Sequence, residues 1–341
     1  MEKPRDLLRW GVLSTANIAR KALIPALLKS KNSRLTAVAS RDLNKAIAFA
    51  GDFGGNIKAH GSYQALLDDH DIDVVYNPTP NHLHLELSLA AIAAGKHVLC
   101  EKPIGLNSAE AEQLLNATRQ HPTLKVMEAF MYRLHPQWRK VKELVTGGAI
   151  GELKHVNTVF TYNNTDPDNV RNQGDIGGGA LLDIGCYGIS VARWLFDSEP
   201  QRVVASQRID KAFNTDVHTS ATLQFERGES TFYCSTQTQW SQSVEIFGKC
   251  GKIVVHVPFN PVISDSARIT LLRHNEIQRF EYANADHYLE QVIAFENSVI
   301  YDLPCPTPLE DAVNNMKVID AVFASAKRAA WVEIEACSPD H

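Results

Sequence analysis

The first 130 residues alternate short apolar runs with helical patterns, and this alternation narrows the choice of folds more than any other feature. Runs typical of strands buried on both faces are "LRWGVLS" (8–14), "RLTAVAS" (34–40), "DVVYNPTP" (73–80), "HVLCEKP" (97–103) and "KVMEAFMYR" (125–133). Helical patterns lie between them, at 19–27, 43–55, 83–95 and 108–120. A strand–helix alternation predicts a doubly wound parallel sheet, the Rossmann form of α/β domain.

The remainder of the chain has a different pattern. From Gly151 onward, apolar and polar residues alternate with a period of two and turn signals such as "ERGE" and "KCGK" intervene, which predicts a large antiparallel sheet. Thr307, Pro308 and Glu310 mark the start of a helix that continues to about Arg328. A length of 341 residues favours two domains. We therefore predict a dinucleotide-binding domain over 1–130 and an α+β substrate and oligomerisation domain with an open-faced antiparallel sheet over 131–341.

Composition and charge exclude several classes of partner. A net charge of −5 provides no positive field for nucleic acid or an anionic membrane, so a small molecule is the expected ligand. The six cysteines include no C-x-x-C pair, and no metal site is predicted. No apolar stretch reaches the roughly 18 residues of a spanning helix, and "MEKPRDLLRWG" lacks a signal core, so a cytoplasmic protein is expected.

The loop after the first strand has small residues where dinucleotide-binding loops carry glycines. Ser14, Ala16 and Ala19 occupy the slots of G-x-G-x-x-G. Backbone N–H groups at a helix start can still bind a pyrophosphate if nothing bulky intrudes. The alternative for this stretch is a plain strand–turn–helix in which the small residues only pack. The predicted cofactor contacts here are Ser14, Thr15, Ala16, Asn17 and Ile18.

The end of the second strand favours NADP(H). Ser40 and Arg41 stand where NAD-binding folds place an acid for the ribose 2′-hydroxyl, and a hydroxyl with a guanidinium suits a 2′-phosphate. Asp42 is the alternative, since its carboxylate could bind that hydroxyl and leave Arg41 solvated. NADP is the expected cofactor, with NAD as the second choice.

Two further stretches carry groups suited to catalysis. "CEKPIG" (100–105) places Lys102 at the carboxyl end of a parallel strand, where open α/β sheets bind ligands. In "GGGALLDIGCYGIS" (177–190), glycines that permit close approach to a ligand precede a helix on which Asp183 and Tyr187 share one face. The alternative is a glycine loop before a buried helix with Tyr187 as ordinary core.

Taken together, "WGVLSTANIA", "EKP", "EAFMYRLHP" and "GGGALLDIGCY" resemble the glucose–fructose oxidoreductase/inositol dehydrogenase (Gfo/Idh/MocA) family, nearest the branch with dimeric dihydrodiol dehydrogenase and NADP-dependent xylose dehydrogenases. The resemblance covers nearly the whole chain. It implies an open sheet used to form a homodimer or homotetramer and a catalytic lysine at Lys102. It also implies that Asp183 and Tyr187 face the nicotinamide. Many members have histidine where this chain has Tyr187.

The same resemblance assigns further contacts. Those implied near the cofactor are Pro78, Thr79, Asn81, His82, Glu101 and Lys102. Those implied near the nicotinamide or substrate are Glu128, Arg133, Asn169 and Arg171.

These residues suggest the chemistry of a carbinol oxidation and its reverse. Hydride moves between carbon and nicotinamide while Tyr187 exchanges the hydroxyl proton, Lys102 favours the phenolate and binds the substrate oxygen, and Asp183 orients the lysine or a sugar hydroxyl. The expected function is an NADP(H)-dependent oxidoreductase of a sugar, polyol or dihydrodiol. Two alternatives are a redox-neutral nicotinamide-dependent glycosidase and a non-catalytic NADP- or sugar-sensing regulator.

Overall fold

The computed structural model describes residues 7–261 and 266–334, so the expectations for 1–6 and for Cys337 lie outside the described residues. The chain forms two compact units. One comprises the chain up to Gly105, Ala109–Met131 and Asp286–Val313, and the other comprises Leu106–Ser108, Tyr132–Ala285 and the chain from Asn314 onward. Among the described helices, none is long and apolar enough to cross a bilayer.

The first unit contains the predicted Rossmann sheet. Its strands are β1 (Leu8–Leu13), β2 (Ser33–Ala39), β3 (Lys58–His60), β4 (Val74–Asn77), β5 (His97–Cys100) and β6 (Val126–Glu128). They are parallel throughout and lie in the order β3-β2-β1-β4-β5-β6. This confirms the doubly wound sheet. The strands after β1 end earlier than their apolar runs do, which leaves the polar residues that follow them outside the ladder.

Helices cover this sheet, and all but α3 lie in segments where the apolar spacing predicts them. They are α1 (Ile24–Lys29), α2 (Leu43–Gly51), α3 (Tyr63–Leu67), α4 (His84–Ala93) and α5 (Ser108–Gln120). A single π-helical turn, Ala19–Leu23, precedes α1. Its buried residues and those of α1 continue the core beneath Trp10 of β1.

The second unit is built on a nine-stranded sheet. Its strands are β7 (Leu153–Asn163), β8 (Arg202–Asp210), β9 (Thr215–Gln224), β10 (Glu229–Ser235), β11 (Gln237–Gly248), β12 (Lys252–Val255), β13 (Ala267–Arg273), β14 (Glu276–Tyr282) and β15 (Val332–Glu333). Their order is β14-β13-β12-β11-β7-β10-β9-β8-β15. The sheet is antiparallel as predicted except that β7 pairs with β10 in parallel. Strands that pair in parallel need a crossover connection, and the chain between β7 and β10 provides one through α7, β8 and β9.

Two helices of the second unit precede and follow β7. They are α6 (Pro136–Thr146) and α7 (Cys186–Phe196), and another π-helical turn, Leu181–Gly185, leads into α7. The helix α7 is buried along most of its length. Tyr187 lies in its first turn, so the sheet-facing packing of α7 fixes this side chain.

The last two helices are α8 (His287–Ile300) and α9 (Leu309–Arg328). The end of α9 agrees with the helix predicted to reach Arg328. The segment Asp286–Val313, which includes α8, lies with the first unit, whereas the sequence-based division groups it with 131–341. Phe295 packs edge-on against Trp10, with ring centroids 5.8 Å apart, and this apolar contact joins α8 to the Rossmann core.

Candidate active site

The predicted cofactor contacts of the first unit all lie at one edge of the sheet. The segment 14–18 follows β1, 40–41 follows β2, 78–82 follows β4, and 101–102 follows β5. These strands are neighbours in the order β2-β1-β4-β5, and the connections diverge on either side of β1. The carboxyl edge at such a point is where open parallel sheets bind dinucleotides.

Ser14 has the backbone of a glycine. Its φ of 70° lies in the left-handed region, which is the conformation that the first glycine of the usual fingerprint provides. Its Oγ is buried and has no hydrogen-bond partner among the described residues. The loop then enters the π-helical turn, where the Arg20 N–H donates to the Ala16 carbonyl at 3.1 Å. An unsatisfied hydroxyl at a helix start fits a phosphate oxygen.

The two candidates after β2 have different surroundings. The Asp42 carboxylate caps α2 by accepting hydrogen bonds from the N–H groups of Asn44 at 2.9 Å and Lys45 at 3.4 Å. Ser40 is buried, and its Oγ accepts from the Asp42 N–H at 3.2 Å, while Arg41 is exposed. Asp42 therefore has a local structural role, and Arg41 is the side chain available for a ligand.

The segments after β4 and β5 are joined by buried polar contacts. The imidazole of His84 lies 2.8 Å from the Thr79 carbonyl through Nε2 and 2.7 Å from the Pro103 carbonyl through Nδ1. Burial lowers the pKa of His84 to about 4, although both carbonyl contacts favour the protonated ring. Nearby, His82 has a buried Nδ1 without a hydrogen-bond partner in the described part of the chain.

The residues around Lys102 are also held by hydrogen bonds. The Tyr76 hydroxyl donates to Glu101 Oε1 at 2.6 Å, and the Ile104 N–H donates to Glu128 Oε1 at 2.8 Å. Glu128, which sequence analysis directs toward the nicotinamide, is buried and fixes the segment after Lys102. Burial and the nearby Glu101 carboxylate raise the pKa of Tyr288 on α8, a neighbour that the sequence did not reveal.

In the second unit, Asp183 is the centre of a polar cluster. Its Oδ2 accepts a hydrogen bond from the Tyr162 hydroxyl at 2.6 Å and lies 3.0 Å from Arg171 Nε. The Asp183 carboxylate raises the pKa of Arg171, to which Tyr162 and Tyr187 also contribute. The structure thus brings together the predicted residues Arg171, Asp183 and Tyr187. Tyr162, on β7, was missed because its sequence context is that of an ordinary strand residue.

The glycine run makes close contacts within the protein, and its approach to a ligand stays a prediction. A Cβ on Gly178 would lie 2.6 Å from the Arg171 carbonyl oxygen, and a Cβ on Gly179 would lie 2.1 Å from Asp216 Oδ1. The Gly179 N–H donates to the Arg171 carbonyl at 2.9 Å. The close approach that these glycines permit is therefore to the protein's own backbone and side chains, and it attaches the loop bearing Arg171 to the start of the helix.

Tyr187 lies in an aromatic cluster. Its ring is 4.8 Å from that of Phe259, 5.5 Å from Phe160 and 5.8 Å from Tyr132, measured between centroids, and the residue is 4% exposed. These rings hold the phenol in one orientation, which a proton-transferring group requires.

Two predicted substrate residues occupy other surroundings. Arg133 is buried against α7, where its Nη2 donates to Ser190 Oγ at 2.8 Å and its guanidinium lies over the Trp194 ring. Asn169 accepts a hydrogen bond from the Arg171 N–H at 3.1 Å and so shapes the loop. Both have identified structural roles, and their contact with substrate stays a prediction. Within the described ranges no group of three His, Cys, Asp or Glu is arranged to hold a metal ion.

Comparison with known proteins identifies both parts of the chain. Residues 8–130 match a model described as an oxidoreductase family with an NAD-binding Rossmann fold, and residues 138–254 match a model of the GFO/IDH/MocA C-terminal domain. An uncharacterized oxidoreductase of Rhizobium meliloti is 40% identical over 96% of this chain and 99% of its own length. A D-xylose 1-dehydrogenase (NADP⁺) of Haloferax volcanii is 33% identical over the same shares.

A solved structure is similar along almost the whole chain. It is a 3-ketoreductase from Actinomadura kijaniata in complex with NADP and TDP-benzene, with a TM-score of 0.87 and 30% identity over 94% of this chain and 98% of that one. Structures of variants of the same reductase with a substituted lysine or a substituted tyrosine are also similar.

Proposed function

Because the chain belongs to the Gfo/Idh/MocA family of NAD(P)-binding oxidoreductases, we propose that it transfers a hydride between NADP(H) and a hydroxyl-bearing or carbonyl carbon of a sugar, polyol or dihydrodiol. The observation that carries the proposal is the placement of the predicted cofactor contacts after β1, β2, β4 and β5, at the carboxyl edge of the sheet. The buried Ser14 Oγ and His82 Nδ1 fit a ligand with phosphate and hydroxyl oxygens.

The sugar-like substrate class is supported by the relatives. One is a xylose dehydrogenase and another is a ketoreductase seen with TDP-benzene. The cluster of Tyr162, Arg171 and Asp183 presents charged and hydroxyl groups suited to a polyhydroxylated molecule.

Each catalytic residue has a distinct task in the proposed reaction. When bound, the nicotinamide accepts or donates the hydride. Tyr187 takes the hydroxyl proton of the alcohol or returns it to the carbonyl oxygen. Lys102 donates a hydrogen bond to that oxygen and favours the phenolate form of Tyr187. Asp183, bound to Tyr162 and Arg171, holds a substrate hydroxyl or the lysine in position.

The proposed acid/base role of Tyr187 is tested by removing its hydroxyl. We expect Tyr187→Phe to lower kcat by about 100-fold or more, since that is the usual scale of lost acid/base catalysis, while the dissociation constant for NADPH stays nearly unchanged. Screening aldoses, polyols, dihydrodiols and dicarbonyl sugars by NADPH absorbance supplies the substrate for this measurement. Lys102→Ala should lower kcat by a similar factor.

A matched control is Tyr233→Phe. Tyr233 lies on β10, and its phenol hydroxyl forms a hydrogen bond of 2.8 Å with His218 Nδ1. The kcat of this variant should equal that of the wild type. Near-normal turnover of Tyr187→Phe would refute the assignment. Glycoside hydrolysis with retained cofactor and no net NADPH would identify a redox-neutral glycosidase instead, and ligand binding without turnover would identify a sensor.

The proposed preference for NADP depends on Arg41. We expect Arg41→Ala to weaken NADPH binding about 10- to 100-fold and to leave NADH binding unchanged, because a charge-assisted bond to the 2′-phosphate contributes about 1.5–3 kcal/mol. Cofactor fluorescence titration measures both constants. Lys45→Ala, which removes a nearby exposed cation, should change neither the dissociation constant for NADPH nor that for NADH. Wild-type protein that binds NADH as tightly as NADPH would contradict the role of Arg41.

The second unit also supports a homodimer or homotetramer. Ile209 on β8 and Trp240 on β11 are 51% and 54% exposed, and large apolar side chains on a sheet favour contact with a second copy. Sedimentation velocity of the wild type and of Trp240→Ser tests this association. We further infer a reducing cytoplasmic setting from the unpatterned cysteines.

A further inference from the structure

The residues of β7 that face α7 contact positions near the start of that helix. Alternate residues of a strand lie on one face, so Thr158, Phe160 and Tyr162 share one side of the sheet. A Cβ on Gly188 would lie 3.5 Å from Thr158 Cβ, and the ring centroids of Phe160 and Tyr187 are 5.5 Å apart. Tyr162 is the next residue of this face and lies one residue before the end of β7.

Tyr162 reaches the turn that precedes α7. Its hydroxyl donates to Asp183 Oδ2 at 2.6 Å, which is the length of a charge-assisted hydrogen bond between a hydroxyl and a carboxylate. Burial and the Asp183 carboxylate raise the pKa of Tyr162 above the ordinary value of about 10. The phenol is therefore protonated at neutral pH, so it is a hydrogen-bond donor to Asp183 rather than a base.

The same carboxylate oxygen has a second partner. Arg171 Nε lies 3.0 Å from Asp183 Oδ2, and the side chains of Arg171 and Asp183 are 46% and 13% exposed. Because solvent weakens an ion pair with an exposed partner, this contact restrains the carboxylate less than its charge suggests. The phenol of Tyr162 has only two side-chain torsions and is attached to the middle of a sheet. Tyr162 therefore determines the direction of the carboxylate more than Arg171 does.

We propose that Tyr162 is a positioning residue that orients the Asp183 carboxylate for hydrogen bonding to a hydroxyl group of the substrate. The proposal rests on the proposed function for the role of Asp183, whereas the bond between the two side chains stands on its geometry alone. Of the two tasks proposed for Asp183, we select the binding of a substrate hydroxyl, because both Tyr162 and Arg171 belong to the second unit, which the sequence predicts to bind substrate. Tyr162 acts through Asp183 and is assigned no proton transfer.

The first test removes only the Tyr162 hydroxyl. We expect Tyr162→Phe to raise KM for the substrate about tenfold, to keep kcat within about threefold and to leave the dissociation constant for NADPH unchanged, because binding lost equally in the ground and transition states affects KM alone. Tyr233→Phe, which removes a phenol hydroxyl on the neighbouring strand β10, should change none of the three. A fall in kcat with KM unchanged, or equal KM values for the two variants, would overturn the proposal.

Substrate analogues that lack one hydroxyl separate positioning from a general structural role. The analogue without the hydroxyl that Asp183 binds should have the same KM with the wild type and with Tyr162→Phe, since the contact is already lost. The other monodeoxy analogues should show the tenfold rise in KM. A rise of equal factor for every analogue would assign the Tyr162 hydroxyl a structural role and overturn the proposal.

The double variant Tyr162→Phe with Asp183→Ala tests whether Tyr162 acts through Asp183. Its kcat/KM should equal that of Asp183→Ala alone, because a positioning residue has no effect once the group that it positions is removed. A further loss in the double variant would contradict this action. A Tyr162→Phe protein that does not fold would assign the hydroxyl to folding of the second unit and would also overturn the proposal.

Tyrosinate absorbance provides a readout that needs neither cofactor nor substrate. The absorbance change between about pH 8 and pH 11 should be the same for the wild type and Tyr162→Phe, because Tyr162 stays protonated where an ordinary phenol ionises. A change smaller in Tyr162→Phe by one tyrosine would overturn the bond to Asp183. If Asp183→Ala keeps the kcat/KM of the wild type, the proposed function of Asp183 fails, and this titration still decides whether the bond exists.

Discussion

Asp216 illustrates how one buried carboxyl group supports the polar cluster of the second unit. Its Oδ2 accepts hydrogen bonds from the Leu181 N–H at 2.8 Å and from the Thr219 hydroxyl at 2.6 Å. It therefore holds the backbone at the start of the turn that carries Asp183. Burial raises the pKa of Asp216 to about 6, and the hydrogen bonds oppose that rise.

The raised pKa predicts a dependence of stability on pH. Because the folded-state pKa of about 6 lies above the ordinary 3.8, the folded protein binds the proton more readily than the unfolded chain does. Its contribution to stability is fully present below pH 4 and is lost as pH rises through about 6, by up to about 3 kcal/mol. Asp216→Asn has no such proton. The difference in unfolding free energy between wild type and variant, measured in urea from pH 4 to pH 7, should therefore fall over this range, and parallel curves would contradict the argument.

At the loop–helix junction 171–187, the position of each element depends on its contact with the other. The N–H of Gly178 donates to the Gln173 carbonyl at 2.9 Å, and the bare Cα of Gly178 lets the 171–173 turn lie against the start of the helix. This turn supplies Arg171, and the helix supplies Asp183. The geometry of their ion pair is therefore a property of the junction rather than of either element.

A methyl group at the junction should disturb it. In Gly178→Ala the new Cβ would lie 2.6 Å from the Arg171 carbonyl and 2.7 Å from that of Gln173, and these backbone atoms cannot move independently. We expect kcat/KM to fall at least about tenfold and the melting temperature to decrease. Gly51→Ala is the control because its Cβ would meet nothing within 4 Å. A Gly178→Ala protein indistinguishable from this control would show that the junction tolerates displacement.

Considered over its full length, the chain leaves the Rossmann unit, builds the large sheet and returns with α8. The return is secured by buried polar contacts as well as by Phe295. The Trp10 Nε1–H donates to Ser33 Oγ at 2.8 Å, and the Ser33 hydroxyl donates to the Glu296 carboxylate. Glu296 is fully buried, so this chain of bonds links the start of the sequence to a segment more than 250 residues away.

Removing the middle of this chain of bonds should destabilise the first unit. Ser33→Ala leaves the Trp10 N–H and a Glu296 oxygen without this partner. Each buried polar group left without a hydrogen bond lowers the free energy of unfolding by about 1–3 kcal/mol. We expect a clear decrease in the free energy of unfolding, with tryptophan fluorescence as the measurement. Thr118→Ala, which removes a hydroxyl bonded only one turn back to the Leu114 carbonyl, should change it by less than about 1 kcal/mol. Equal effects of the two substitutions would contradict the importance of the long-range contact.

Local patterns in the sequence predict a large part of this fold. The period of the apolar residues identified every strand of the parallel sheet except β3, and also the helices α1, α2, α4 and α5, whereas β3 and α3 were not predicted. The motifs placed Lys102 after β5 and placed Asp183 and Tyr187 at the start of α7. Such patterns are readable because a buried face imposes a spacing on residues a few positions apart. The small residues 14–19 also indicated the loop, although the left-handed backbone of Ser14 had no signature in its side chain.

Other features depend on which distant segments become neighbours. The parallel pairing of β7 with β10, the return of α8, the Tyr162–Asp183 bond and the two carbonyls around His84 each join residues that no local spacing relates. The capping of α2 by the Asp42 carboxylate likewise depends on how the chain folds there. Spacing along the chain fixes which face of an element is apolar, whereas the partners of a buried polar group are determined by packing, because that group must find a donor or acceptor among whatever the fold brings beside it.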